Sequence, residues 1–148
     1  MRFRLFSVLG IAAVSLVACS RPSQIAKGSP GQSSPEFRIQ QIPPADPQRF
    51  SNAREVKTWR NPYLMVRKDG IWLMDLDNNE EHLLKSDQVL DALAALPASA
   101  WPYGRVVAVQ EIGSVGSDED RIALRRNRAI LAGTLESSKI LINWLPSS

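Results

Sequence analysis

Asp69-Gly70 stands between two short apolar runs, Tyr63-Leu64-Met65-Val66 and Ile71-Trp72-Leu73-Met74. Aspartate and glycine both tolerate the positive φ values of a tight reversal, while aromatic and β-branched side chains on either side favour extended backbone. The stretch from Tyr63 to Met74 is therefore expected to be a β-hairpin. Nothing else in the chain restricts its fold as strongly, because a two-stranded hairpin is marginal in water until further strands or helices cover its apolar face.

The covering elements follow in order. Ser86 reads as the N-cap of a helix that places Val89, Leu90, Leu93 and Leu96 on one stripe and stops at Pro97. Leu83 and Leu84 fit either a short strand or the lead-in to that helix. Arg105 to Gln110 encloses Val106-Val107-Ala108-Val109, the continuous run of a strand covered on both faces or central in its sheet. Gly113 and Gly116 mark a loop, and Ser117 reads as the cap of a second helix with Asp118, Glu119 and Asp120 at its positive dipole end. Ala123, Leu124, Ile130, Leu131 and Leu135 form its expected inner face, with Arg121, Arg125 and Arg128 on an outer one. Lys139 to Trp144 reads as the last strand, closed by Pro146, and the strand-helix-strand order favours a parallel, right-handed crossover. The expected fold is an α+β domain of two layers, ββαβαβ, over residues 55–148.

The other end of the chain is of a different kind. Arg2 and Arg4 precede an uncharged stretch of thirteen residues, Leu5 to Val17, and Ser20, Arg21 and Pro22 end it. A spanning helix needs about 20 apolar residues, so the outline is that of a secretory signal peptide. Leu16-Val17-Ala18-Cys19 resembles the lipobox of bacterial lipoproteins. The resemblance implies cleavage before Cys19, residues 1–18 being the signal peptide, and lipidation of the Cys19 thiol, a nucleophile suited to thioether formation. Three acyl chains would hold lastingly where one holds marginally. Ser20 after the cysteine resembles the outer-membrane sorting pattern, which implies a lipid-anchored protein of the outer membrane facing the periplasm. Cys19 is the single cysteine; once acylated, it leaves no thiol for a disulfide, a nucleophile or a zinc site.

Residues 20 to 53 carry six Pro, six Ser, five Gln and two Gly, too few large apolar groups to repay ordering entropy. Residues 19–54 are therefore expected to be a tether that stretches to about 110 Å. Phe37, Ile39 and Ile42 are the exception, suited to a short added strand or to docking on the domain. Asp46-Pro47 suits the start of a short helix through Phe50 and Ala53. The whole chain holds 18 basic and 15 acidic side chains. Loss of residues 1–18 removes Arg2 and Arg4 and leaves 16 against 15, so nucleic acid is not expected as a partner.

Chemistry-bearing residues are sparse. His82 is the single histidine, and with cysteine consumed it builds no metal or nucleophilic set, so no catalytic residue, metal or cofactor is expected. Asp75, Asp77 and Asn79 alternate like calcium ligands. Glu80 stands where that loop requires glycine, however, and no bidentate glutamate follows, so they read as turn residues. Trp59, Trp72, Trp101, Trp144, Tyr63 and Tyr103 suit a small core better than a stacking platform.

Gly113 to Asp118, continuing through Ala123-Leu124 to Arg128-Ala129, resembles the loop and helix of the OmpA-like peptidoglycan-binding domain. The resemblance implies a cell-wall ligand held by Arg128. Gly113 stands at that family's aspartate position and Arg121 at its asparagine position, so the ligand's ammonium group would lack its carboxylate partner. Asp69-Gly70 and Tyr103-Gly104-Arg105-Val106-Val107 resemble the periplasmic domain of ExbD/TolR proteins in topology. The sequence thus points to a small binding domain for the wall or an envelope protein, with Arg128, Trp101 and Tyr103 as candidate ligand-binding residues. The rival class is a small enzyme or ligand carrier.

Overall fold

A computed structural model describes residues 33–53, 56–113 and 116–147. The apolar run, Cys19 and the expected tether as far as Gln32 lie outside the described residues. The fold is α+β. Its elements are α1 (Pro35–Gln40), α2 (Pro47–Phe50), β1 (Tyr63–Arg67), β2 (Gly70–Asp75), β3 (Glu80–Leu84), α3 (Val89–Ala95), β4 (Val106–Glu111), α4 (Asp118–Ser137) and β5 (Leu141–Trp144). One five-stranded sheet has the order β3-β2-β1-β4-β5. The hairpin pairs β1 with β2 antiparallel from Tyr63↔Met74 to Arg67↔Gly70, and β4 runs parallel to both β1 and β5.

The sheet has one strand more than expected. Asp75 ends β2, and its carboxylate accepts the backbone N–H groups of Asp77 and Asn78 at 2.9 and 3.1 Å. Asn79 adopts φ +55, a value that asparagine tolerates. These turn residues reverse the chain, and β3 pairs antiparallel with β2 from Ile71↔Leu84 to Asp75↔Glu80. Leu83 and Leu84 thus belong to a strand. Ser86 opens a 3-10 turn rather than capping α3, and Gln88 Oε1 accepts the Lys85 N–H at 3.1 Å.

Both faces of the central strands are covered. Leu64 and Val66 of β1 and Val107 and Val109 of β4 pack with Ile39, Leu93, Leu124, Leu131 and Leu135 on the helix side. Tyr63, Met65, Val106 and Ala108 face Ala53, Trp59 and Leu145, with Phe50 and Tyr103 packed against them. Strand alternation sorts these residues, which accounts for the unbroken Val106-Val109 run.

The expected tether boundary is corrected here. The compact unit begins at Ser33 rather than residue 55. Ser34 caps α1 by accepting the Phe37 N–H, and Ile39 is 0% exposed in the main core. Asp46 caps α2 through the Gln48 N–H at 3.0 Å, as Asp46-Pro47 suggested. Few apolar residues suffice because each docks on a surface built by the sheet and α3.

Arg105 N–H donates to Pro43 at 2.8 Å and Asp46 N–H to Tyr103 at 3.0 Å, fastening a strap across the start of β4. Asn61, almost fully buried, donates through Nδ2 to the carbonyls of Gly104 and Val106, both at 2.8 Å, and accepts Tyr103 N–H at 2.9 Å. Asn127 on α4 donates to the Arg67 and Lys68 carbonyls at 2.8 and 3.2 Å, seating the helix on the hairpin turn.

Candidate functional site

The three residues singled out as ligand-binding candidates are not assembled into one site. Trp101 is 4% exposed in the helix-side core, and its Nε1–H has no acceptor among the described residues. Tyr103 lies on the opposite side of the sheet with Phe50 and Trp59, at ring-centroid distances of 6.1 and 5.3 Å. Its hydroxyl donates to the Thr58 carbonyl at 3.3 Å. The two rings therefore form no shared stacking platform, and both serve the core, as small-domain aromatics commonly do.

Arg128 sits beside the far end of β4. It donates to Glu111 Oε1 at 2.5 Å, and its guanidinium lies 4.3 Å from the centroid of the Trp144 ring. A planar cation held between a carboxylate and an aromatic face already has the two contacts that a ligand would offer it. An anionic ligand would share or compete with Glu111 for this cation. Ile130, expected on the inner face of α4, is 38% exposed. The buried row runs through Leu124, Asn127, Leu131 and Leu135, and Ile130 falls roughly 100° from Leu131.

A cleft of about 620 Å³ opens elsewhere, between the β2–β3 hairpin and the segment after α3. Its lining combines the apolar Leu73, Met74, Leu96 and Pro97 with the polar Arg60, Asn61, Asp75, Asp77, His82 and Ser99. Ala100 and Pro102 line it, whereas their neighbours Trp101 and Tyr103 do not. β2–β3 pairing sets Leu73 opposite His82, which brings the histidine to the wall of the cleft. Such a volume lies within the range of ligand pockets.

The Asp75 carboxyl is held below its ordinary range by hydrogen bonds from the Asn78 side chain and backbone and from the Asp77 backbone. Those bonds stabilise the turn and keep the group ionised. His82 Nε2 stands 3.9 Å from Glu80 Oε2, both exposed. No group of three or more metal-ligating side chains occurs among the described residues, and no helix among them is long and apolar enough to cross a membrane. Outside the cleft, Arg67 grips Glu81 in a two-pronged pair at 2.7 Å and lies over Trp72 at 5.0 Å.

Sequence reading missed this cleft because its walls come from four separate stretches. One signal was readable: Asp75 to Asn79 is a second reversal, and taking it as a hairpin places His82 beside Leu73. Arg60 and Ser99 carry no such signal.

No family model, curated protein or solved structure matches this chain. What the site can do is therefore derived from its own geometry.

Proposed function

We propose that the chain is a lipid-anchored cell-envelope lipoprotein that holds a small binding domain in the periplasm, at the outer membrane. The observation that carries this reading is Leu16-Val17-Ala18-Cys19 at the end of the uncharged run that starts at Leu5 after Arg2 and Arg4, ahead of a compact unit that starts at Ser33. The binding partner in this reading is an envelope protein or the wall. An extended peptide segment suits the cleft, whose lining joins apolar side chains to Arg60, Asp75 and Asp77. An anionic wall group at Arg128 would compete with Glu111, which already pairs with that cation, so the cleft is the favoured contact. A ligand carrier is the second reading, favoured by the convergence of His82, Ser99 and Asp75 on one cleft.

The test is the membrane fraction and intact mass of the wild type and of Cys19→Ser in a lipoprotein-processing bacterium. The expected wild-type product starts at Cys19, carries the mass of three acyl chains and sediments with membranes, whereas the variant does neither. A wild type released without added mass refutes the reading. Sacculi that retain the soluble domain as firmly as an established wall binder would shift the partner from protein to wall.

A further inference from the structure

We propose that β5 is the interface of a symmetric dimer, pairing antiparallel with the β5 strand of a second copy of this chain. β5 ends the sheet on one side, with β4 as its neighbour and no strand beyond it among the described residues. Leu141 and Leu145 turn their N–H groups to β4, donating to the Arg105 and Val109 carbonyls at 2.9 and 2.8 Å. Strand alternation then turns the N–H and C=O groups of Ile142 and Trp144 outward, where no described residue meets them. Groups of this kind are satisfied by an extended backbone, which fixes the chemistry of what covers them.

Edges that stay uncovered are commonly defended by charge, and the other edge of this sheet is: Glu80, Glu81 and His82 lie exposed along β3, with Glu81 held by Arg67. Residues 140–145 carry no charge, and Leu141 and Trp144 are 46% and 38% exposed. Pro146 takes the next outward position and has no N–H, so the open edge ends at Trp144. A two-fold axis through Asn143 matches that length. Ile142 pairs with the partner's Trp144, and Trp144 with the partner's Ile142, so that every outward N–H finds an outward C=O. Asn143 faces the partner's Asn143, and each amide supplies the donor and the acceptor that the other needs.

Charge complementarity on α4 supplies the second argument. Arg128 lies over Trp144, and the parallel β4–α4–β5 connection runs α4 against β5. One strand residue back to Asn143 is about 3 Å, or about two helix residues, so the axis passes level with Ile130. Arg125 then comes level with the partner's Glu136 to within about one residue. Both are exposed, both lie within about 80° of Arg128 around the helix, and neither has an ion-pair partner among the described residues. Arg121 comes level with the partner's Lys139, but Asp118 already neutralises it. A strand from an unrelated protein would satisfy the backbone groups without this match, which favours a second copy. So short an edge belongs with small, transient interfaces, with a dissociation constant of about 10 to 100 µM. The cleft lies toward the opposite edge of the sheet, so each copy keeps its own cleft open.

The test is analytical ultracentrifugation of the chain from residue 19 onward with Cys19→Ser, which retains the whole compact unit. A monomer at about 1 µM and a dimer by about 300 µM are expected. Asn143→Asp or Asn143→Lys alone sets like charges opposite each other across the axis and should weaken the dimer about tenfold or more, with an unchanged melting temperature at about 1 µM. An equimolar mixture of the two variants sets Asp against Lys and should restore the dimer. A chain still monomeric at about 300 µM overturns the proposal and leaves the edge to a strand of another protein. A dimer that both variants leave intact, a mixture no more associated than the separate variants, or growth beyond the dimer overturns it as well. Because the chain is unacylated and β5 does not line the cleft, none of these outcomes decides the Cys19 or the cleft reading.

Discussion

Gly104→Ala is expected to be among the most damaging single-methyl changes available to this fold. Gly104 has φ +79, and a Cβ there would lie 2.2 Å from the Pro44 carbonyl oxygen, 2.8 Å from its carbon and 2.9 Å from the Pro43 oxygen. All three are backbone atoms, so relief requires the strap to lift by roughly 1 Å. The conformational part costs an L-residue about 1 to 2 kcal/mol. Lifting the strap strains the Arg105-to-Pro43 and Asp46-to-Tyr103 hydrogen bonds, each worth about 1 kcal/mol. A loss of about 3 to 4 kcal/mol follows, against a usual total of about 5 to 15, which lowers the melting temperature by about 10 to 20 °C. Gly113→Ala is the control, since φ there is +98 and a Cβ meets nothing within 4 Å; it should lose only the conformational part. Urea unfolding followed by tryptophan fluorescence measures both. Equal losses in the two variants, or under about 1 kcal/mol for Gly104→Ala, would refute the idea that the strap is clamped by contact at this glycine.

Asn61→Ala removes three buried hydrogen bonds and should cost about 2 to 4 kcal/mol in the same assay. Asn61→Asp keeps the shape but loses both donors when ionised, so it should be at least as damaging at neutral pH and partly recover in acid. Lys139 takes φ +58 just past α4, with Ile140 N–H on the Leu135 carbonyl and Lys139 N–H on that of Glu136, a helix stop that normally selects glycine. Lys139→Gly should therefore raise stability by about 0.5 to 1 kcal/mol in thermal unfolding, and a loss would contradict the assignment. Glu81 is held below its ordinary range chiefly by the Arg67 hydrogen bonds, and Asp75 by those of Asn78. Carboxyls with lowered folded values contribute stability above their unfolded values, near 4, and lose it as pH falls through the folded ones. Urea midpoints measured from pH 7 downward should decline below about pH 4. Glu81→Gln and Asp75→Asn should each flatten that decline, and an unchanged slope in both would count against these contacts.

What could be read from the sequence was what local chemistry determines. Asp69-Gly70 between apolar runs gave the β1–β2 pair, although Gly70 begins β2 opposite Arg67 and the loop is Lys68-Asp69. The Val106-Val109 run gave a strand buried on both faces, and Ser117 capped α4 as expected, accepting Asp120 N–H at 3.2 Å. Strand β3, foreseen only as one alternative for Leu83 and Leu84, has the burial of an edge, with Glu80 to Leu83 exposed, so no apolar alternation announced its full length. The candidate ligand residues are not brought together, for a non-local reason: Trp101 and Tyr103 are two apart in the chain yet belong to opposite faces, and Arg128 meets a carboxylate from β4. Neither fact is encoded within any one segment.

The residues from Ser33 to Ala53 are the instructive failure, because their composition is that of a linker and their behaviour is not. Ile39 and Ala53 are each buried by surface that other elements provide, and Pro43 and Pro44 contribute carbonyls rather than side chains to the strap. Docked in this way, the segment no longer adds to reach. The longest span that the chain between Cys19 and the compact unit could cover shrinks from about 110 Å to about 50 Å.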